Sequence, residues 1–206
     1  MVDIIKIDSK LADNVEKELY SLKVHWQWYN RTTNYYEENA TADEKVRIDR
    51  FSSLYGPVND TQRFTHTVFL RRKEKTFFQV RNDPKSIYRK TFEFLPQLID
   101  NLQQTYISKD LMVGRIIINM QTIRPEWSMN AIHPDTRKKN DKTILYYVNN
   151  SDGDTFFFDD EKCIKKVPPV KGTAALYPST TFHAGSTPIK TQTRVVVNIV
   201  FESRQR

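Results

Sequence analysis

The sequence predicts a mainly β chain with flanking helices, closed into a jelly-roll barrel of the double-stranded β-helix kind. Three observations carry this. From residue 111 onward, short runs rich in Val, Ile, Thr, Tyr and Phe alternate with turn residues. Those runs follow one another too closely for helices to fit between them, which excludes a Rossmann fold or a four-helix bundle and favours strands closing on themselves. Before residue 111, apolar residues recur at helical spacing, so helices are expected outside the barrel. At 206 residues we expect one domain, with a helical or mixed portion (1–110) packing on a core barrel (111–206).

Taken in order, residues 10–22 read as an amphipathic helix, with Leu11, Val15, Leu19 and Leu22 on one stripe. Residues 23–65 are polar and Tyr-rich, with a short helix expected near 42–55 and a turn at Gly56-Pro57. Two short strands are expected at His66 to Arg72 and Lys75 to Arg81. Asn82-Asp83-Pro84 reads as a helix start, with Asp83 as N-cap and Pro84 in the first turn. The stripe that follows is Ile87, Tyr88, Phe92, Leu95, Leu98, Ile99 and Leu102, and Pro96 inside it predicts a kink. The barrel strands are expected at 113–122, 142–149, 155–159, 163–168, 173–178 and 193–201, with Gly153 and Gly172 in turns.

Composition narrows the chemistry. Cys163 is the sole cysteine, so an intrachain disulfide and a thiolate zinc cluster are both excluded. A metal site must then be built from histidines and carboxylates. The longest apolar runs, such as Val195 to Phe201, are too short to span a bilayer. Met1-Val2-Asp3-Ile4-Ile5-Lys6 lacks the layout of a signal peptide, and a cytoplasmic location with no membrane partner is the expectation. The formal charge of +7, with clusters at Arg71-Arg72-Lys73, Arg137-Lys138-Lys139 and Lys165-Lys166, reads first as a solvated basic face. It leaves open an acidic protein or a nucleic acid as partner, the latter not favoured.

Of the four histidines (His25, His66, His133 and His183), two stand in informative text. His133 lies in Ile132-His133-Pro134-Asp135, just after the first barrel strand. Side chains two apart on extended backbone point the same way, so His133 and Asp135 can grip one ion together. His183 comes three or four strands later, where a barrel folding back can bring it opposite that pair. Two imidazoles and a carboxylate on one face of an ion form the facial triad of non-haem iron(II) oxygenases. Arg194 opens the last apolar strand. A guanidinium there is costly to bury without an anion and well shaped to hold a carboxylate through two parallel bonds. Without a triad, the same residue would read as a strand-end arginine in solvent.

The segment from about 112 to 201 resembles the 2-oxoglutarate/iron(II) oxygenase superfamily, particularly its prolyl 4-hydroxylase-like branch and related small phage-type members. The text that carries the resemblance is His133-Pro134-Asp135, Thr143 through Asn149, Asp152-Gly153-Asp154-Thr155-Phe156-Phe157, Pro169 through Ser179, and then His183 and Arg194. The resemblance implies a dioxygenase that hydroxylates its substrate, using Fe(II), 2-oxoglutarate and O2 and releasing succinate. It implies His133, Asp135 and His183 as metal ligands and Arg194 on the distal carboxylate of 2-oxoglutarate. Tyr147 matches a tyrosine that helps hold this carboxylate, or it is a core aromatic with a satisfied hydroxyl. Asn198, on the same strand face as Arg194, could also line the cosubstrate site. No catalytic residue beyond the ligands is implied.

One departure bears on the substrate. Prolyl hydroxylases often carry a tyrosine and a glycine before the His-x-Asp, where this chain has Asn119-Met120-Gln121-Thr122-Ile123-Arg124-Pro125-Glu126-Trp127-Ser128. Proline is therefore only one candidate beside other protein side chains and small molecules. Arg124 and Trp127 either face the substrate or pack the barrel rim. Oxidative demethylation of nucleic acid and a non-enzymatic jelly-roll binding module are the alternatives. A zinc hydrolase would leave Arg194 unexplained.

Overall fold

In the computed structural model, described residues are 1–21, 24, 26–29, 40–56, 63–70 and 92–203. The elements in chain order are β1 (Asp3–Lys6), α1 (Ser9–Leu19), β2 (Gln27–Tyr29), α2 (Ala42–Tyr55), β3 (Arg63–Leu70) and α3 (Phe94–Tyr106). The barrel strands follow: β4 (Leu111–Thr122), β5 (Lys142–Tyr147), β6 (Thr155–Phe158), β7 (Cys163–Val167), β8 (Thr173–Pro178), β9 (Phe182–Gly185) and β10 (Thr193–Ser203). All pairings between them are antiparallel, in a seven-stranded sheet of order β1-β8-β5-β10-β4-β3-β2 and a three-stranded sheet of order β7-β6-β9.

The smaller sheet gains an irregular fourth strand from residues 128–133. Bridges join Met129 to Ser186 and His133 to His183, and Asn130 N–H donates to Gly185 O at 2.8 Å. Four strands (β4, β10, β5, β8) thus face four others across a core, which is the expected jelly roll.

Alternation along the strands decides which residues see the barrel interior. On β10, register pairs Arg194 with Gln121 and Val196 with Asn119, and Asn198 with Leu145. Leu145 in turn pairs with Ala175 and Thr143 with Tyr177. These residues share the inner face. The outer face carries Ile116, Ile118, Val195, Val197, Ile199, Ile144 and Tyr146, which pack with Val15 and Leu19 of α1 and Leu95, Leu98, Ile99 and Leu102 of α3. On the smaller sheet, Phe156, Phe158 and Phe182 turn outward onto Ile48 and Phe51 of α2. The inner face there bears Thr155 opposite Gly185 and Phe157 opposite His183.

All six expected barrel strands are present with ends shifted by a few residues. β1, β2 and β9 were not expected. α1 ends at Leu19, earlier than the predicted 22, while Val15 and Leu19 are buried as its stripe requires. α2 matches 42–55 and carries a capping box from Thr41 and Glu44. The expected strand at 75–81 and the Asp83–Pro84 helix start lie outside the described residues.

The third helix corrects the sequence reading. Phe92 and Glu93 are not helical, and α3 begins at Phe94. Pro96 therefore falls in the first turn, where its missing N–H has no intrahelical partner to lose, and no kink is needed. The preceding amides find their acceptor in another helix. The Glu18 carboxylate of α1 accepts from Phe94 N–H at 3.1 Å and Leu95 N–H at 2.8 Å, and also from Glu93 N–H. Among the described residues, no helix is long and apolar enough to cross a membrane.

Candidate functional site

The two histidines meet through backbone pairing. His133 N–H donates to His183 O at 3.1 Å and His183 N–H to His133 O at 3.0 Å, which sets the two rings side by side with centroids 4.8 Å apart. Each ring is anchored by a carbonyl two residues earlier: His133 Nδ1 on Ala131 O at 2.9 Å, and His183 Nδ1 on Thr181 O at 3.1 Å. A carbonyl can only accept, so on each ring Nδ1 carries a proton and Nε2 is the nitrogen available to ligate. Burial, reinforced by neighbouring His183, pulls the His133 pKa down to about 4. Its imidazole is neutral at pH 7.

Asp135 completes the cluster, its side chain 2% exposed. Three donors hold it. Oδ1 accepts from Arg115 Nη2 at 2.9 Å and Asn198 Nδ2 at 3.0 Å, while Oδ2 accepts from the Tyr177 hydroxyl at 2.9 Å. Burial alone would raise this carboxyl's pKa, but its electrostatic interactions with the neighbouring His183 and Arg115 side chains and the Asn198 bond outweigh it and hold the pKa below the ordinary value. Burial and the adjacent carboxylate push the Tyr177 phenol well above its ordinary range, so it stays a donor. Asp135 Oδ2 lies 3.8 Å from His183 Nε2, and one ligand atom from each of the three residues falls within 4.8 Å of the others. Two imidazole lone pairs and a buried carboxylate fit a divalent ion such as iron(II) or zinc. The bonded Nδ1 atoms supply the outer contacts such ligands use.

A cavity of about 70 Å³ runs from the two histidines to Arg194. Arg63, Asn119, Gln121, Asn130 and Asn198 also line it, and among the described residues its lining holds no acidic side chain. Arg194 is 5% exposed, and burial lowers its pKa, though a guanidinium keeps its charge. It donates from Nε to Gly153 O at 2.6 Å, from Nη1 to Gln121 Oε1 at 3.3 Å and from Nη2 to Thr155 Oγ1 at 2.8 Å. These bonds use three of the five guanidinium N–H groups and leave one on each terminal nitrogen, the pair that a carboxylate takes bidentately.

The geometry of this arginine depends on two glycines. A Cβ added at Gly185 would stand 3.1 Å from Cζ, Nη1 and Nη2 alike, so the guanidinium lies flat over that residue. A Cβ at Gly153 would meet the arginine Cδ at 2.8 Å and Ser186 O at 2.6 Å. Thr155 Oγ1 also accepts from the Tyr147 hydroxyl at 3.0 Å, so its own proton remains to be donated.

His133, Asp135, His183, Arg194 and Asn198 therefore converge on one cavity and its wall. Tyr147 is fully buried, its hydroxyl satisfied by Thr155 and its pKa pushed up by burial to about 12. Its route to the cavity runs through that threonine. Trp127 packs edge-on against Phe156 and over Gly56, and neither it nor Arg124 is among the cavity residues. Sequence reasoning missed Arg115, Tyr177, Thr155 and Gln121. Their signal was parity, since each falls on an inner-facing position of a strand that was itself predicted.

No family model matches the sequence, and no curated protein matches it. Among solved structures, the chain is similar to an oxidoreductase of the 2OG-Fe(II) oxygenase family from Burkholderia pseudomallei. That match has 12% identity and a TM-score of 0.51, covering 98% of this chain and 95% of the other. It also aligns with a Pseudomonas putida prolyl-4-hydroxylase (13% identity, TM-score 0.44, 94% and 100% covered). A Trichoplax adhaerens prolyl hydroxylase, solved with a peptide of hypoxia inducible factor, aligns at 12% identity and TM-score 0.43 over 94% and 90%. At these identities the first likeness establishes the fold, and the other two superpose less well.

Proposed function

We propose that this chain is an Fe(II)- and 2-oxoglutarate-dependent oxygenase that hydroxylates its substrate. The observation that carries the reading is the pairing of two sites in one cavity. Two anchored imidazoles and a buried carboxylate stand at one end, and a buried guanidinium with an open bidentate edge stands at the other. A hydrolase site accounts for the first end and leaves the second without a purpose.

In this reading His133, Asp135 and His183 hold the iron, and Arg194, helped by the Thr155 hydroxyl, holds the distal carboxylate of 2-oxoglutarate. Tyr147 orients Thr155. When bound, the metal and cosubstrate supply an oxidation that couples decarboxylation to succinate with hydroxylation of the substrate. The chain's own contribution is placement. Tyr177, Arg115 and Asn198 keep Asp135 ionised and fix which of its oxygens faces the histidines, and the phenylalanine-rich smaller sheet keeps water from the rear of the cluster.

The test is an anaerobic titration of the purified chain with Fe(II) and 2-oxoglutarate, followed through the visible metal-to-ligand charge-transfer band. The expected result is a band that is lost in His183→Ala. A folded chain that takes up Fe(II) and 2-oxoglutarate without a band, or takes up neither, would overturn the proposal.

A further inference from the structure

We infer that Asn119 and Asn198 form a receptor for an amide group on the substrate; this rests on the cavity being the oxygenase site. The orientation of Asn198 is not ambiguous. Its Nδ2 donates to Asp135 Oδ1 at 3.0 Å, and a carboxylate cannot donate back. Its Oδ1 must then point the other way. That oxygen is buried and has no hydrogen-bond partner among the described residues, on a side chain 7% exposed that lines the cavity. A buried acceptor in such a position calls for a donor. 2-Oxoglutarate does not provide one, because its keto and carboxylate oxygens only accept at neutral pH.

Asn119 is the complement. Its Oδ1 accepts from the Thr65 hydroxyl at 3.0 Å, so its Nδ2 is the group left to donate. Asn119 pairs with Val196 and Ile117 with Asn198, which makes the two asparagines diagonal neighbours on the inner face of adjacent strands. Both line the cavity, with the carboxamides of Gln121 and Asn130 beside them. One donor and one acceptor from diagonal positions in the same cavity are the complement of the C=O and N–H of a single amide. A prolyl residue is a poor fit, because its own nitrogen carries no hydrogen. The substrate class that satisfies both asparagines is a carboxamide side chain or a small molecule bearing a primary or secondary amide.

The experiment is 1H–15N NMR on the full chain, metal-free and loaded with Zn(II) and 2-oxoglutarate, titrated with acetamide and with N,N-dimethylacetamide. The Asn198 side-chain resonances are identified by their loss in Asn198→Val. In the loaded chain, acetamide should shift these resonances saturably, and N,N-dimethylacetamide should bind about tenfold more weakly or less. Asn198→Val, followed through the backbone amide resonances of the cavity strands, which should also report acetamide binding in the wild-type chain, should lose the preference; if that variant does not fold, the contrast between the two amides on the wild-type chain decides. Equal responses to both probes, or none to either, would overturn the inference and leave Asn198 as a positioning residue for Asp135. A response that 2-oxoglutarate abolishes would also overturn it, assigning the pair to the cosubstrate. Discrimination in a chain that binds neither Zn(II) nor 2-oxoglutarate would sustain the amide receptor and sink the oxygenase reading.

Discussion

Replacing Gly185 with alanine should weaken 2-oxoglutarate while sparing the metal. The backbone at Gly185 has no positive φ, so alanine is conformationally allowed there, and the whole effect comes from the new methyl. That methyl would sit 3.1 Å from three atoms of the Arg194 guanidinium. Nonpolar contacts settle at ~3.5–4.0 Å, so the guanidinium must retreat by about 0.5 Å. Retreat strains the bonds to Gly153 O and Thr155 Oγ1, at 2.6 and 2.8 Å, and tilts the open edge away from an incoming carboxylate. A charge-assisted pair is worth ~1.5–3 kcal/mol. Misaligning it should therefore raise the dissociation constant roughly ten- to a hundredfold, against an overpacking cost to stability of about 1 kcal/mol. Calorimetric titration of 2-oxoglutarate into the Zn(II)-loaded chain measures the first effect, and Zn(II) titration alone serves as control. Unchanged 2-oxoglutarate affinity in the folded variant would refute the placement of the carboxylate on Arg194.

Three further outcomes follow from the same contacts. Tyr177→Phe removes the donor on Asp135 Oδ2, and loss of such an outer contact should weaken Zn(II) or Mn(II) binding roughly 10–100-fold; an unchanged affinity by calorimetry would count against the triad. Glu18→Ala uncaps the start of α3 and should cost about 1–2 kcal/mol in urea unfolding, with 2-oxoglutarate affinity unaffected. Asp152 accepts from the backbone N–H groups of Ile189, Lys190 and Thr191 and from the Thr191 hydroxyl, which together lower its pKa to about 2 although burial opposes them. A carboxyl depressed by folding contributes stability above its unfolded pKa and loses it as pH falls. About 1–2 kcal/mol, discounted for solvent screening, should thus disappear between about pH 4 and pH 2, and an Asp152→Asn chain should lack that part of the acid slope.

The cluster was legible through local rules, an approximate strand count and the resemblance of the text around it. His133 and Asp135 share a face by alternation, and His183 lies a suitable number of strands later. Arg194 stood out as a charge opening an apolar strand. Other features resisted for stated reasons. β9 is four residues long and ends in Gly185, too short for alternation to announce it. The helical stripe through Phe92 continued past the true start of α3, since a buried side chain just before a helix looks like one inside it. The capping group at that start belongs to Glu18, far away in the chain, and no local pattern could name it.

By itself the sequence determined the fold class and the six principal barrel strands, which follow from strand alternation and local composition, and it singled out His133, Asp135, His183 and Arg194 through their spacing and the resemblance of the text around them. Tertiary structure decided everything that depends on which strands lie side by side. Register brought Arg115 and Tyr177 onto Asp135, set Thr155 and Gln121 against Arg194, and laid the guanidinium over Gly185. It also turned Asn198 so that one end serves the carboxylate and the other faces the cavity. Such contacts join residues distant along the chain, and antiparallel pairing specifies them only once the whole barrel has closed.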